Sequence, residues 1–179
     1  MSDGEIIARV RAGDTAAFAD LVRRHQDRVF GMALRATGRS EDAEDLAQEV
    51  FLSVFRGLEG FKGEAQFTTW LYRIAWNRCA DWLRRHRTPG RRTAPLEEAD
   101  GVADGRADPA AELIGKDDRL RMRRALDGLD EHYRSVVELA CIQGLSYAEV
   151  GSALGLPVKT VETRLYRARR LLRERLAEG

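Results

Sequence analysis

Cysteine and histidine are scarce in this chain. The two cysteines, Cys79 and Cys141, stand far apart and in no CxxC arrangement, so neither a disulfide framework nor a zinc site is expected, and both thiols read as buried. The three histidines, His25, His86 and His132, have no ligand spacing, and no Ser/His/Asp pattern, glycine-rich phosphate loop or paired-carboxylate signature is present. The expectation is therefore no metal, no cofactor and no enzymatic activity. No apolar run is long enough to span a bilayer, and Met1 opens no signal-peptide pattern, so no membrane insertion and a cytoplasmic location are expected. Alternating strand patterns of useful length are missing as well. Segments with a 3.6-residue period dominate instead, which predicts an all-α protein.

Of the four prolines, Pro89, Pro95 and Pro109 fall in one stretch from about Thr88 to Gly115, together with Gly90, Gly101, Gly105 and Gly115. That stretch carries six acids against three arginines and no helical period, so it reads as a flexible acidic linker, either a plain spacer or more. The boundaries expected from it are a helical domain over 1–88, a linker over 89–115 and a second small helical domain over 116–179. Ser2 with Glu5, Asp14, Ser40 and Asp130 are the expected helix caps.

The net charge of +1 conceals a segregation of sign. Glu41 to Glu49 contains five acids and no base, whereas Pro157 to Arg175 has seven bases against two acids. In the helix opening at Ser40, Leu46, Ala47, Val50, Phe51, Val54, Phe55 and Leu58 form an apolar arc. The opposite arc carries Asp45, Gln48, Glu49 and, among them, Leu52. Beyond the first turn the helix macrodipole no longer accounts for the acids. A solvated charged face and a contact with a basic helical partner are both open readings.

All three tryptophans occur in FTTWLYRIAWNRCADWLRR, six residues apart, so their rings point about 120° from one another around a helix. Phe67, Leu71, Ile74, Ala75, Trp76, Cys79, Trp82 and Leu83 fall on a broad inner arc, which makes Trp76 and Trp82 core residues. Trp70 falls opposite, among Arg73, Asn77, Asp81 and Arg84. It is suited either to stacking on unpaired bases or to lying under an arginine as a cation–π pair.

Near the end of the chain, LSYAEVGSALGLPVKTVETRLYR reads as a helix from about Tyr147 to Leu154, a stop at Gly155, and a second helix started by Pro157 and Val158. Val150, Leu154, Leu156, Val161 and Leu165 supply inner contacts, and Gly151 permits a close crossing. This is a helix-turn-helix pattern, with a plain αα-hairpin as the bland reading. Lys159, Thr160, Thr163, Arg167 and Arg170 face outward, where they meet base edges if the second helix enters a major groove.

Taken together, DAEDLAQEVFLSVFRGL, FKGEAQFTTWLYRIAWNRCADWLRR and LDEHYRSVVELACIQGLSYAEVGSALGLPVKTVETRLYRARRLL resemble the bacterial sigma-70 family, from about Thr15 to Leu176. Within it the chain looks like the extracytoplasmic function (ECF) group of two-domain sigma factors. The resemblance implies binding of core RNA polymerase, promoter recognition and melting of the minus-10 element to initiate transcription. Asp45, Gln48, Glu49 and Leu52 would meet the clamp helices of the polymerase β′ subunit. Phe61, Lys62, Gly63, Glu64, Ala65 and Phe67 would capture a flipped minus-10 base. Trp70, Tyr72 and Arg73 would wedge and hold the melted strand, Asn77 would approach bases, and Arg84 and Arg85 would grip duplex phosphates. The second domain would bind the β flap and read the minus-35 element through Lys159, Thr160, Glu162, Thr163, Arg164 and Arg167. Glu162 departs from the basic residue that many relatives carry there, so base preference at that position does not follow. An anti-sigma factor is a further partner of such proteins. The competing class is a helical adaptor that contacts protein only, from which promoter binding differs by its steep salt dependence.

Overall fold

The computed structural model describes residues 1–86 and 116–178, and these form two compact units. The expected linker over 89–115 lies outside the described residues. Among the described residues every regular element is helical.

The first unit consists of α1 (Asp3–Arg11), a 3-10 turn at Thr15–Ala17, α2 (Phe18–Thr37), α3 (Ser40–Gly57), a second 3-10 turn at Leu58–Gly60, and α4 (Phe67–His86). Ser2 and Glu5 cap α1 reciprocally, as their spacing predicts. The Ser2 backbone N–H and hydroxyl hold the Glu5 carboxyl below its ordinary range. Asp14 caps the 3-10 turn by accepting from the Ala17 N–H at 3.3 Å. At the start of α3 the cap differs from expectation. Ser40 is the first helical residue, and Arg39, in extended backbone, occupies the cap without a side-chain bond. Helices α2, α3 and α4 pack on one another, and α1 packs on α2. Their shared core is Leu21, Val29, Met32, Leu46, Val50, Val54, Leu71, Ala75 and Cys79.

Three apolar placements differ from the helical-wheel reading. Trp76 is buried, but Trp82, close to the last residue of α4, is partly exposed and stacked on His86 with ring centroids 4.1 Å apart. Ile74 is likewise only half-buried. Phe55 is 39% exposed, its ring edge-on to Phe18 at 5.0 Å, because it sits at the border of the arc centred on Val50 and Val54.

The second unit contains α5 (Lys116–Asp127), α6 (Glu131–Val137) continued by a π-helical segment Glu138–Ile142, α7 (Tyr147–Leu154) and α8 (Val158–Glu178). Helix α8 packs on α5, α6 and α7 through Val161, Leu165 and Ala168, all essentially inaccessible. Asp130 stands at the N-cap of α6 as expected, but in extended backbone and without a side-chain bond. A capping box at Ser146 and Glu149 starts α7, and Gly155 in the left-handed region ends it, with φ of 66°. Gly151 is buried against the turn: a Cβ there would come within 2.7 Å of the Leu156 carbonyl oxygen. Only glycine lets the chain double back this tightly. Cys79 is buried, whereas Cys141 is exposed, contrary to the expectation of two buried thiols.

Candidate nucleic-acid interface

Three surfaces bring the sequence-derived residues together. The first is the loop between the Leu58–Gly60 turn and α4, with the face of α4 that continues it. Lys62, Gly63 and Glu64 are exposed, and Phe61 and Ala65 half-buried. Gly63 has φ of 75°, a conformation that a side chain would strain, so the loop turns sharply between two exposed charges. Trp70 is half-buried rather than fully outside. Its indole rests on Phe61 at 5.1 Å and Phe67 at 5.9 Å and lies across Gly57. This cluster takes the place of the arginine-capped rim that composition allowed. On the same face, Arg73, Asn77, Arg84 and Arg85 are exposed. Arg84 pairs with Asp81, and Arg85 donates from Nε to the Asp81 carbonyl at 3.3 Å.

Two residues expected at DNA lie inside. Tyr72 is 1% exposed and its hydroxyl accepts from Arg28 Nη1 at 3.2 Å. Its position follows from α4 itself: Tyr72 shares an arc with Thr69, Trp76, Cys79 and Leu83, all buried. Phe67 is 7% exposed, between His25 at 5.5 Å and Phe61 at 5.9 Å. Both side chains are thus buried beneath α4 and its entry loop, unlike the exposed positions that wedging by Tyr72 and direct base contact by Phe67 call for.

The second surface is on α3. Asp45, Gln48, Glu49 and Leu52 are all exposed and lie at i, i+3, i+4 and i+7, hence on one face, with Leu52 54% exposed. Phe55, three residues on from Leu52, extends that face with a second apolar side chain. Sequence reasoning assigned it to the core, although its place seven residues after Gln48 already put it beside this face.

The third surface is on α8. Lys159, Glu162, Thr163 and Arg167 are exposed, and Thr160 and Arg164 half-buried. An open depression is lined by Lys159, Thr160, Thr163, Arg164 and Arg167 together with Pro157 and, from α6, His132 and Tyr133. The two α6 rings, with centroids 4.0 Å apart, carry no pattern that the sequence alone exposes. Glu162 is outside that lining and turns to another side of α8, next to Tyr166, which is 67% exposed. No group of three or more potential metal-ligating side chains occurs among the described residues, and no described helix is long and apolar enough to cross a membrane.

Residues 21–88 match the family model of Sigma-70 region 2, and residues 119–172 match that of Sigma-70, region 4. The ECF RNA polymerase sigma factor SigE of Mycolicibacterium smegmatis is 42% identical over 171 residues, covering 93% of this chain but 65% of that protein, so the chain spans just under two thirds of that relative. The ECF RNA polymerase sigma factor SigW of Bacillus subtilis is 34% identical over 179 residues, covering 96% of this chain and 95% of that one. Among solved structures, CnrH in complex with the cytosolic domain of CnrY has a TM-score of 0.73 at 31% identity, over 99% of this chain and 98% of that one. RpoE of Bartonella quintana, solved with the anti-sigma factor NepR, has a TM-score of 0.67 at 20% identity over 89% of this chain and 96% of that one, which establishes a shared fold.

Proposed function

The chain belongs to the sigma-70 family, in the extracytoplasmic function group of RNA polymerase sigma factors, and we propose how its three surfaces divide the work of promoter-specific transcription initiation. The exposed face of α3, with Asp45, Gln48, Glu49 and Leu52, docks on the β′ clamp helices of core polymerase, and Phe55 adds apolar area at its edge. Two apolar side chains framed by carboxylates suit a basic helical partner better than they suit solvent.

The loop Phe61–Ala65 and the outer face of α4 receive the opened minus-10 strand. Trp70 offers its half-buried indole for stacking by an unpaired base, Arg73 and Asn77 contact the strand, and Arg84 and Arg85 hold phosphates of the adjoining duplex. Tyr72 and Phe67 act from beneath, as supports.

In the second unit, which also engages the β flap, α8 enters the major groove of the minus-35 element. Lys159, Thr160, Thr163, Arg164 and Arg167 meet bases and phosphates from the N-terminal half of the helix, the half that helix-turn-helix proteins present to DNA. Glu162 sits at the flank of this contact, where a carboxylate repels phosphate without reading a base. A regulatory partner of the anti-sigma kind is also expected, in keeping with the protein-bound state in which the CnrH relative was solved.

The observation that carries the reading is the α4 face: a partly exposed indole in line with exposed Arg73 and Asn77, beside a loop of exposed charged residues. Transcription by purified core polymerase from a genomic promoter library, with and without the chain, tests it. Initiation at a discrete promoter set sharing two spaced elements is expected only with the chain present. Unchanged promoter choice would refute it.

A further inference from the structure

Arg11, the last residue of α1, lies outside the segment that matches region 2, yet its side chain reaches the minus-10 surface. Its Nε donates to the Leu58 carbonyl at 3.2 Å, and Nη2 donates to the Leu58 carbonyl at 2.9 Å, to that of Glu59 at 3.3 Å, and to that of Phe61. These carbonyls close the 3-10 turn after α3 and open the loop into α4. Carbonyls at a helix end lack intrahelical donors, and a guanidinium satisfies several at once with charge-assisted bonds in a fixed fork geometry.

Docking of α1 has anchors besides these bonds. Ile6 and Ile7 are 0% and 4% exposed, and at the other end Asp3 accepts from Arg24 at 2.9 Å and pairs with His25 at 2.9 Å. With α1 anchored elsewhere, the Arg11 fork is a fixed point against which the turn is held. Beyond the turn lies the aromatic cluster: the Phe61 carbonyl is one of the bonded groups, and the Phe61 ring is the one on which Trp70 rests. Arg11 is thus linked to the candidate stacking indole through one residue, Phe61, which directly precedes the exposed Lys62, Gly63 and Glu64.

We propose that Arg11 is a positioning residue for minus-10 recognition, its guanidinium fixing the Leu58–Phe61 backbone so that the following loop and the face of Trp70 are held in the form that accepts an unpaired base. This rests on the assignment of the loop and α4 to the minus-10 element. It gives α1 a role that its sequence does not announce, because the partners are 47 to 50 residues away.

The test uses the full chain with core polymerase on a promoter and on variants substituted at each minus-10 position, as duplexes and with that element pre-melted. Arg11→Ala is expected to unfold within a few degrees of the parent and to compete equally for core. Its discrimination between the preferred and substituted minus-10 sequences should fall about five- to tenfold on both template types. Arg11→Lys, a cation without the fork, should restore little of that discrimination. Discrimination equal to the parent in Arg11→Ala, or a loss that is uniform across all sequences and tracks the loss in unfolding temperature, overturns the proposal. Phe61→Ala and Lys62→Ala separate the two levels. If they too leave discrimination intact, the minus-10 assignment itself fails; if they abolish it while Arg11→Ala does not, only the role of Arg11 fails.

Discussion

The indole of Trp70 lies across Gly57: a Cβ placed on that glycine would sit 3.1 Å from Trp70 Cζ2 and 3.4 Å from Cη2. The end of α3 and the start of α4 thus share one contact, and the side chain proposed to stack on DNA is seated on the helix proposed to dock polymerase.

Gly57→Ala should accordingly displace the indole without harming the helix. Gly57 closes α3 in right-handed backbone that alanine adopts without strain, and the indole is a side chain that can shift, so thermal unfolding should change little. Open-complex lifetime on a duplex promoter should nevertheless shorten several-fold. A normal lifetime would mean that Trp70 tolerates a shifted seat.

Tyr72 gives the opposite pattern. Tyr72→Phe removes the hydroxyl that accepts from Arg28 and should cost about 0.5–1.5 kcal/mol of stability, with promoter opening by the folded variant unchanged. Denaturant unfolding and open-complex assays on the same preparation check it. A selective opening defect with full stability would restore a direct role for the Tyr72 hydroxyl at the strand.

At Gly151, a methyl group would meet the Leu156 carbonyl at 2.7 Å, backbone that cannot give way cheaply. Gly151→Ala should destabilise the second unit by about 1–3 kcal/mol and abolish dependence on the minus-35 element, measured by calorimetry and by transcription from promoters with and without that element. Retained stability would show that the α7–α8 turn can open.

On α8, Arg167→Ala should cost about 1–3 kcal/mol at minus-35 promoters and alter sequence preference, whereas Lys159→Ala should weaken all sequences alike and lower the salt slope by about one. Glu162→Gln should strengthen binding uniformly, without a new base preference. Titrations of polymerase holoenzyme on minus-35 variants at several salt concentrations distinguish these outcomes.

The helix-turn-helix was legible because local chemistry dictates it: Gly155 stops α7, Pro157 and Val158 start α8, and Gly151 is required by the turn five residues on. The acidic face was legible for the same reason, since Asp45, Gln48, Glu49 and Leu52 need only the helical period. What escaped was set by tertiary geometry. Phe55 sits at an arc margin, where a few degrees decide between core and rim, and Trp82 has an inward phase but stands close to the last residue of α4, which a wheel does not register. Tyr72 lies near the centre of the buried arc of α4 and was assigned outward by resemblance rather than by phase. Cys141, on the π-helical segment, reads as buried from its lack of a CxxC or disulfide partner, which carries no information on the face it takes. Arg11 and the His132–Tyr133 pair act on residues distant in the chain, and no local pattern marks them.

The most direct test of the account is open-complex stability for Trp70→Ala with core polymerase, on a duplex promoter and on the same promoter with the minus-10 element pre-melted, alongside thermal unfolding. Removing the stacking ring should cost about 1–3 kcal/mol of open-complex stability on the duplex, with partial rescue by the pre-melted template and only a modest drop in unfolding temperature. A variant that melts far below the parent yet, where folded, opens the duplex promoter normally would contradict the account and make Trp70 a packing residue between α3 and α4.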